Sequence, residues 1–412
     1  MKKLFSFIAA ISPGIFLIGY NIGTGSITTM ASAGAEYGMG LMLPVLLSCI
    51  FTYFLILIFG RYTIVTGKTV LQSFRHYFGT PVTLLVLLTI LGSEWTSCMG
   101  VMSVIVQVVQ EWSRPLTTSG DGFNPLFITA FFAIIIYIFF LQGTHRFFER
   151  ILTLFVALMG LCFLITMFMV VPSPREILKG LTPFIPSESS GIILLAGMVG
   201  TTMGGVLYVV RSILVQEKKW TLKDFDIERR DAAISAIFMF LLSISVMICA
   251  AGTLHPAGLK VSNAIDMVQL IEPLAGRFAV SFLVGGIVCA GISSLFPIVL
   301  LAPWLLADYR SKPRDLRSVE SRILVLFGVS LVFVVPIFGG RPVSVLIFSQ
   351  AATLLATPLV LLLMWILCNR QSVMGRYSFS PRQNLFMAII FIFTFIISAI
   401  GVVEMSNLVT NL

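Results

Sequence analysis

Ile22-Gly23-Thr24-Gly25-Ser26 sits in the middle of an apolar run that extends from about residue 4 to residue 35. Two glycines, two hydroxyls and the neighbouring Asn21 thus fall where a membrane-spanning helix would cross mid-bilayer. Lipid offers backbone groups no partners, so such a break survives only against protein or a watery cavity. Two readings follow: a kinked helix packed closely through small residues, or a discontinuous helix forming the midplane site of a secondary transporter. A second stretch of the same kind, Gly200-Thr201-Thr202-Met203-Gly204-Gly205, occurs half a chain later and favours the transporter.

The 412 residues are 58% hydrophobic and 11% charged, with a mean hydropathy of +1.01. Soluble chains carry about 25% charge, so this is an all-α integral membrane protein. Eleven apolar runs fill it, at roughly 4–34, 41–60, 82–113, 125–141, 150–171, 189–213, 229–254, 274–306, 319–337, 342–366 and 384–405. Each comes near the ~20 residues a spanning helix requires, and a single transmembrane domain occupies residues 1–412. Lys2-Lys3 before the first run imitates a signal peptide, but the run continues into the Gly23 break and reads as a retained helix.

With the N-terminus assigned to the cytoplasm, 21 of the 27 lysines and arginines fall on the cytoplasmic side. This asymmetry sets the orientation, with the C-terminus extracytoplasmic, in a multi-pass protein of the cell membrane. It also accounts for the net charge of +9 with the lipid bilayer as partner and no nucleic acid. The six cysteines lie in or at the ends of apolar runs, without CxxC spacing, and read as small core residues. His76, His145 and His255 fall in loops on opposite sides of the membrane, so they form no metal cluster. No P-loop occurs, and no strand precedes Gly23-Thr24-Gly25 to make it a dinucleotide fingerprint. Nothing here suggests an enzyme or a bound cofactor.

Glu94, in the third run, is the carboxylate lying deepest in any run. A charge at that depth costs about 2.5–3.5 kcal/mol on insertion scales and is a functional candidate by default. The alternative is a structural carboxyl paired with a neighbouring Ser, Thr or Trp. Gln350 in the tenth run also requires a partner, either a bond across helices or a place beside a substrate path. The eighth run carries Gly291-Ile292-Ser293-Ser294 and Pro297, which reads as a further interruption, and the loop from Arg211 to Asp231 reads as a solvated cytoplasmic connection.

The first run starts in the cytoplasm and the sixth starts outside, so each half begins with a glycine-broken helix and the two run in opposite senses. That is a five-helix inverted repeat, about 4–171 and 189–366, with the eleventh helix, about 384–405, appended. The half-helix ends would surround one cavity, with N-terminal ends favouring anionic groups and C-terminal ends and freed carbonyls favouring cations.

Ala33-Gly34-Ala35-Glu36-Tyr37-Gly38 resembles the AGAxxG stretch of the Nramp family of proton-coupled divalent-metal transporters. The resemblance continues in Ile64-Val65-Thr66-Gly67-Lys68, from Arg146 to Phe163, in Ser212-Ile213-Leu214-Val215-Gln216, in Gly291-Ile292-Ser293-Ser294 and in Ser349-Gln350. It implies a LeuT-like fold with broken helices 1 and 6. It also implies a substrate site around Gly23, Thr24, Gly25, Ser26, Thr202, Met203, Gly204 and Gln350, and a proton pathway through Glu94 and Arg211. The family's metal ligands are replaced here, however. Gly23 stands at the Asp of the DPGN motif and Ser26 at its Asn; Gly204, or Met203 with a one-residue slip, stands at the Met of the MPH motif. No His follows, and Arg211 occupies the place of a second His.

The resemblance therefore implies a secondary active transporter with a remodelled site. Carbonyls and Gln350 would offer no negative charge, although a carboxylate facing a divalent ion at about 4 Å gains roughly 8 kcal/mol at an effective dielectric near 20. Transition-metal transport is then disfavoured, while a hard cation of the Mg²⁺ kind, keeping part of its water, remains compatible. The alternatives are a transporter of a small organic solute such as an amino acid, held at backbone N–H groups, and a non-transporting membrane receptor. Protons are the expected co-substrate of the cation reading.

Overall fold

The computed structural model describes residues 23–142, 146–270 and 279–410. The half-helix expected over residues 5–21, together with Asn21 and His145, lies outside them. Every regular element among the described residues is helical. The first five helices are α1 (Thr24–Tyr37), α2 (Met42–Thr66), α3 (Val70–Ser113), α4 (Pro125–Gln142) and α5 (Arg146–Met169). The sixth run forms α6 (Ser189–Met203) and α7 (Gly205–Glu217), followed by α8 (Phe225–Thr253), α9 (Ala279–Tyr309) and α10 (Val319–Ser330). The tenth run forms α11 (Pro342–Thr353) and α12 (Thr357–Asn369), and α13 (Pro381–Thr410) closes the chain.

Among the described residues, eight helical stretches are long and apolar enough to cross a membrane. The fourth run, Pro125–Leu141, is shorter, and the fifth bends by 119° into the short helix Pro174–Gly180. Two expectations are corrected. α9 runs unbroken through Pro297 and Pro303, because membrane helices tolerate proline where nearby groups satisfy the freed carbonyl. The tenth run is the one that breaks: a turn at Leu354–Ala356 separates α11 from α12, and Pro358 falls in the first turn of α12, where its missing N–H removes no bond.

Local sequence explains the other boundaries. Gly67 ends α2 at φ 68°, a left-handed conformation glycine adopts without strain. Thr69 then starts α3 with a capping box, its hydroxyl accepting from the Gln72 N–H while the Gln72 side chain accepts from the Thr69 N–H. Two segments of the family resemblance meet at this corner. The Ser212 hydroxyl accepts from the Val70 N–H at 3.1 Å, and the Gln216 amide donates to the Gly67 carbonyl at 3.0 Å. Gly34 of the AGAxxG stretch has an equally plain role, since a Cβ there would overlap the Met247 carbonyl of α8.

The packing follows the expected repeat. α3 packs on α11 and α9 on α5; these pairs exchange when five runs are added to each run number. α1 on α8 and α6 on α2 are related in the same way. The broken sixth run is central, with 89% of its apolar window buried, against 28% for the ninth and eleventh runs, which face outward. The start of α1 at Gly23 and the break at Gly204 line one cavity inside the bundle.

Candidate functional site

α1 begins at Gly23, which has no side chain with which to cap it. The N–H groups of its first turn have no partner within the helix, so they form a donor-rich end. In the sixth run, Gly204 adopts φ −55°, ψ 133° and separates α6 from α7. A break of this kind orphans the last carbonyls of the first half. Two threonines satisfy them: Thr52 donates to the Thr202 carbonyl at 2.9 Å, and Thr357 to the Met203 carbonyl at 3.0 Å. The break is thus built into the core, with Thr52 also 3.2 Å from the Tyr208 hydroxyl.

Between the start of α1 and the break in the sixth run lies a cavity of about 40 Å³, room for roughly three waters at ~10–15 Å³ each. Gly23, Gly25 and Ser26 line it from the start of α1, and Gly200, Thr201 and Gly204 from the sixth run. α3 contributes Glu94, Ser97 and Val101, which share one helix face at i, i+3 and i+7. Ser294 of α9 and Gln350 and Thr353 of α11 close the other sides.

Gln350 is the hub. Its amide donates to the Ser97 hydroxyl at 2.8 Å, and its backbone carbonyl accepts from Thr353 at 2.7 Å. The side chain lies directly on α1, where a Cβ at Gly25 would come within 2.6 Å of it. A Cβ at Gly23 would overlap the Ser294 hydroxyl, which donates to the Ala290 carbonyl at 2.9 Å. Both glycines of the opening motif are therefore places where another helix rests on bare backbone.

Of the expected site residues, Gly23, Gly25, Ser26, Gly204, Gln350 and Glu94 share the cavity. The rest face elsewhere. Thr24 directs its hydroxyl at the Ile287 carbonyl, 3.4 Å away, and Thr202 donates to the Met198 carbonyl at 3.2 Å. Met203 is fully buried in the surrounding core, and its sulfur is not among the cavity walls. Ser97, Thr201, Ser294 and Thr353 are walls that the sequence reading did not select; for Ser97 the signal was its place one turn after Glu94. The expectation of a site without negative charge is also corrected, because Glu94, only 1% exposed, stands in the cavity wall.

Arg211 lies outside the cavity. It pairs with Glu228 at 3.1 Å and with Asp231, and its guanidinium sits 5.4 Å from the Trp220 ring centre. Arg211 and Asp231 are fully buried, so the two ends of the expected solvated loop are interior. The reason is that α7 and α8 each pack on α2, and the Arg211 pairing with Glu228 and Asp231 bridges them in the interior.

The cavity offers hydroxyls, one amide, backbone and one carboxylate. Among the described residues, no wall residue is a Cys, Met or His, and no three His, Cys, Asp or Glu form a cluster arranged to hold a metal. Oxygen donors with little charge suit hard cations, and the missing sulfur and imidazole remove what favours transition metals.

Residues 14–404 match the family described as Natural resistance-associated macrophage protein-like. A divalent metal cation transporter MntH from Brucella suis biovar 1 (strain 1330) is 23% identical over 404 residues, covering 92% of this chain and 84% of the relative. A manganese transporter structure from Eremococcus coleocola superposes with a TM-score of 0.72 at 16% identity, covering 98% of this chain and 87% of that one. MhsT, solved with L-phenylalanine, superposes with a TM-score of 0.64 at 16% identity over 96% of this chain and 98% of that one. The fold is the expected LeuT-like one.

Proposed function

Since the chain belongs to the natural resistance-associated macrophage protein-like family, we propose that it is a secondary transporter of a small, hard divalent cation of the Mg²⁺ type. The observation that carries this reading is the donor set that the described residues give the cavity: neutral oxygens, the Gln350 amide and, among those residues, the single carboxylate of Glu94, with no sulfur or imidazole. Manganese transport belongs to the Eremococcus coleocola protein; the oxygen-only lining argues for a different cation here. A cation that keeps part of its water asks less of the site than one stripped bare, and about three water-sized places are available.

Glu94 has two tasks in this mechanism. It supplies the charge that offsets desolvation of the cation, and it takes up a proton when the cation leaves. Competition of proton and cation for one carboxylate couples the two movements. Arg211, held between Glu228 and Asp231, is an anchor between α7 and α8 in this scheme. The protein sits in the cell membrane with its N-terminus cytoplasmic, as the distribution of lysine and arginine favours.

A small organic solute with a carboxylate is the second reading. The uncapped N-termini of α1 and α7 favour it. The nearby Glu94 and the small cavity oppose it. Purified protein in liposomes, given Mg²⁺, Mn²⁺ and a panel of amino acids in turn, distinguishes the readings. Saturable Mg²⁺ uptake supports the proposal, whereas uptake of an amino acid alone overturns it.

A further inference from the structure

On the basic side of the membrane, a cleft of about 690 Å³ opens between α2, α8 and the start of α13. We propose that this cleft binds an anionic phospholipid, its headgroup held by Arg61, Arg229 and Arg382 and its chains lying on the apolar walls.

The cleft has the polarity of an amphiphile. On α2, Arg61 stands at the membrane surface and Phe54 lies seven residues deeper on the same face, about 10 Å away at 1.5 Å per residue. On α13, Arg382 stands at the surface and Phe386 one turn deeper. Phe54 and Phe386 meet at 4.4 Å between ring centres and form the floor on which an acyl chain would rest. Arg61 is steadied by Tyr377, donating to its carbonyl at 3.4 Å with the guanidinium 5.4 Å from the ring centre.

The charge balance identifies the ligand. Glu228, the one carboxylate in the lining, is tied to Arg211 on the inner wall. Arg229 and Arg382 are exposed and form no ion pair among the described residues. Three guanidiniums around an apolar cleft between helices at the cytoplasmic surface are the pattern that retains anionic headgroups. The adjoining groove between the same α2 and α8, lined by Cys49, Tyr53, Ala236 and Phe240, has no charged residue. It serves as an internal control. The cleft's volume falls within the ~300–1,000 Å³ of ordinary ligand sites.

The test uses the full-length protein in detergent with equal amounts of phosphatidylglycerol and phosphatidylcholine of identical acyl chains, read by native mass spectrometry. Wild type should retain phosphatidylglycerol preferentially. The variant Arg229→Gln, Arg382→Gln should lose that preference by roughly fivefold per arginine, and Arg229→Lys, Arg382→Lys should largely keep it. Should the Gln variant fail to fold, wild type still decides: photoreactive phosphatidylglycerol should label residues 225–230 and 377–386 rather than 233–241. Inorganic phosphate should not displace the lipid; displacement would mean an anion site without lipid character. Equal retention of the two lipids, labelling confined to 233–241, or an unchanged preference in the Gln variant would overturn the proposal.

Discussion

The amide of Gln350 donates to the hydroxyl of Ser97 at 2.8 Å, joining α11 to α3 across the cavity while its side chain lies against the bare backbone of Gly25. One contact thus ties the tenth run, the third run and the start of α1 together. A methyl group at Gly25 would come within 2.6 Å of the Gln350 amide, so Gly25→Ala should displace that side chain. The expected outcome is a loss of uptake of about tenfold, or ~1.4 kcal/mol, with an unchanged size-exclusion profile. Uptake at the wild-type rate would remove Gln350 from the site.

Gly23 and Ser294 form a second coupled pair. Gly23→Ala should cost about 1–3 kcal/mol, as overpacking does, because the added Cβ overlaps the Ser294 hydroxyl. Ser294→Gly in the same chain should recover part of that loss. A double-mutant cycle by thermal unfolding gives the coupling, and purely additive effects would contradict the close approach of α1 and α9. The pair also bears on any attempt to restore an acid at this position: Gly23→Asp needs room at Ser294 before it can bind anything.

Arg211 gives a prediction of a different kind. Removing one partner of a buried ion cluster leaves an uncompensated charge and costs about 3–5 kcal/mol. Arg211→Met should therefore destabilise the protein strongly, and adding Glu228→Gln and Asp231→Asn should restore most of the loss. If the triple variant folds and still shows a wild-type pH dependence of uptake, Arg211 is an anchor. If the pH dependence disappears, it belongs to the proton pathway.

The breaks were legible because glycines paired with hydroxyls inside an apolar run have few structural excuses. The break at Gly204 could be located without coordinates, and so could Gly23 as the start of α1 and the repeat that relates their helices. The rotation of α3 was not legible. Its run is apolar all round, so no periodicity tells which way Glu94 faces, and the site was read as uncharged although Glu94 lines it. Arg211, Glu228 and Asp231 failed for another reason. Charges at the ends of runs read as solvated, and only the packing of α7 and α8 on the same helix α2 brings them face to face. Pro297 misled because a proline signals a break in water more reliably than in a membrane core.

Orientation rests on the charge asymmetry and is tested by labelling. In a cysteine-free background, a single cysteine at position 410 should be modified from outside and one at position 2 should be protected. Modification of both from the same side would overturn the count of eleven spans.

The central claim is that Glu94 provides the charge of an oxygen-only site for a hard cation. The most direct measurement is titration calorimetry of purified protein with Mg²⁺ and with Mn²⁺, for wild type and Glu94→Gln, at several pH values. The account predicts that wild type binds Mg²⁺ with Mn²⁺ no more than about tenfold tighter, since the soft donors that widen that gap are missing. It further predicts that binding weakens on acidification as protons compete for the carboxylate, and that Glu94→Gln loses both the binding and its pH dependence. Tight Mn²⁺ binding that survives Glu94→Gln would contradict it.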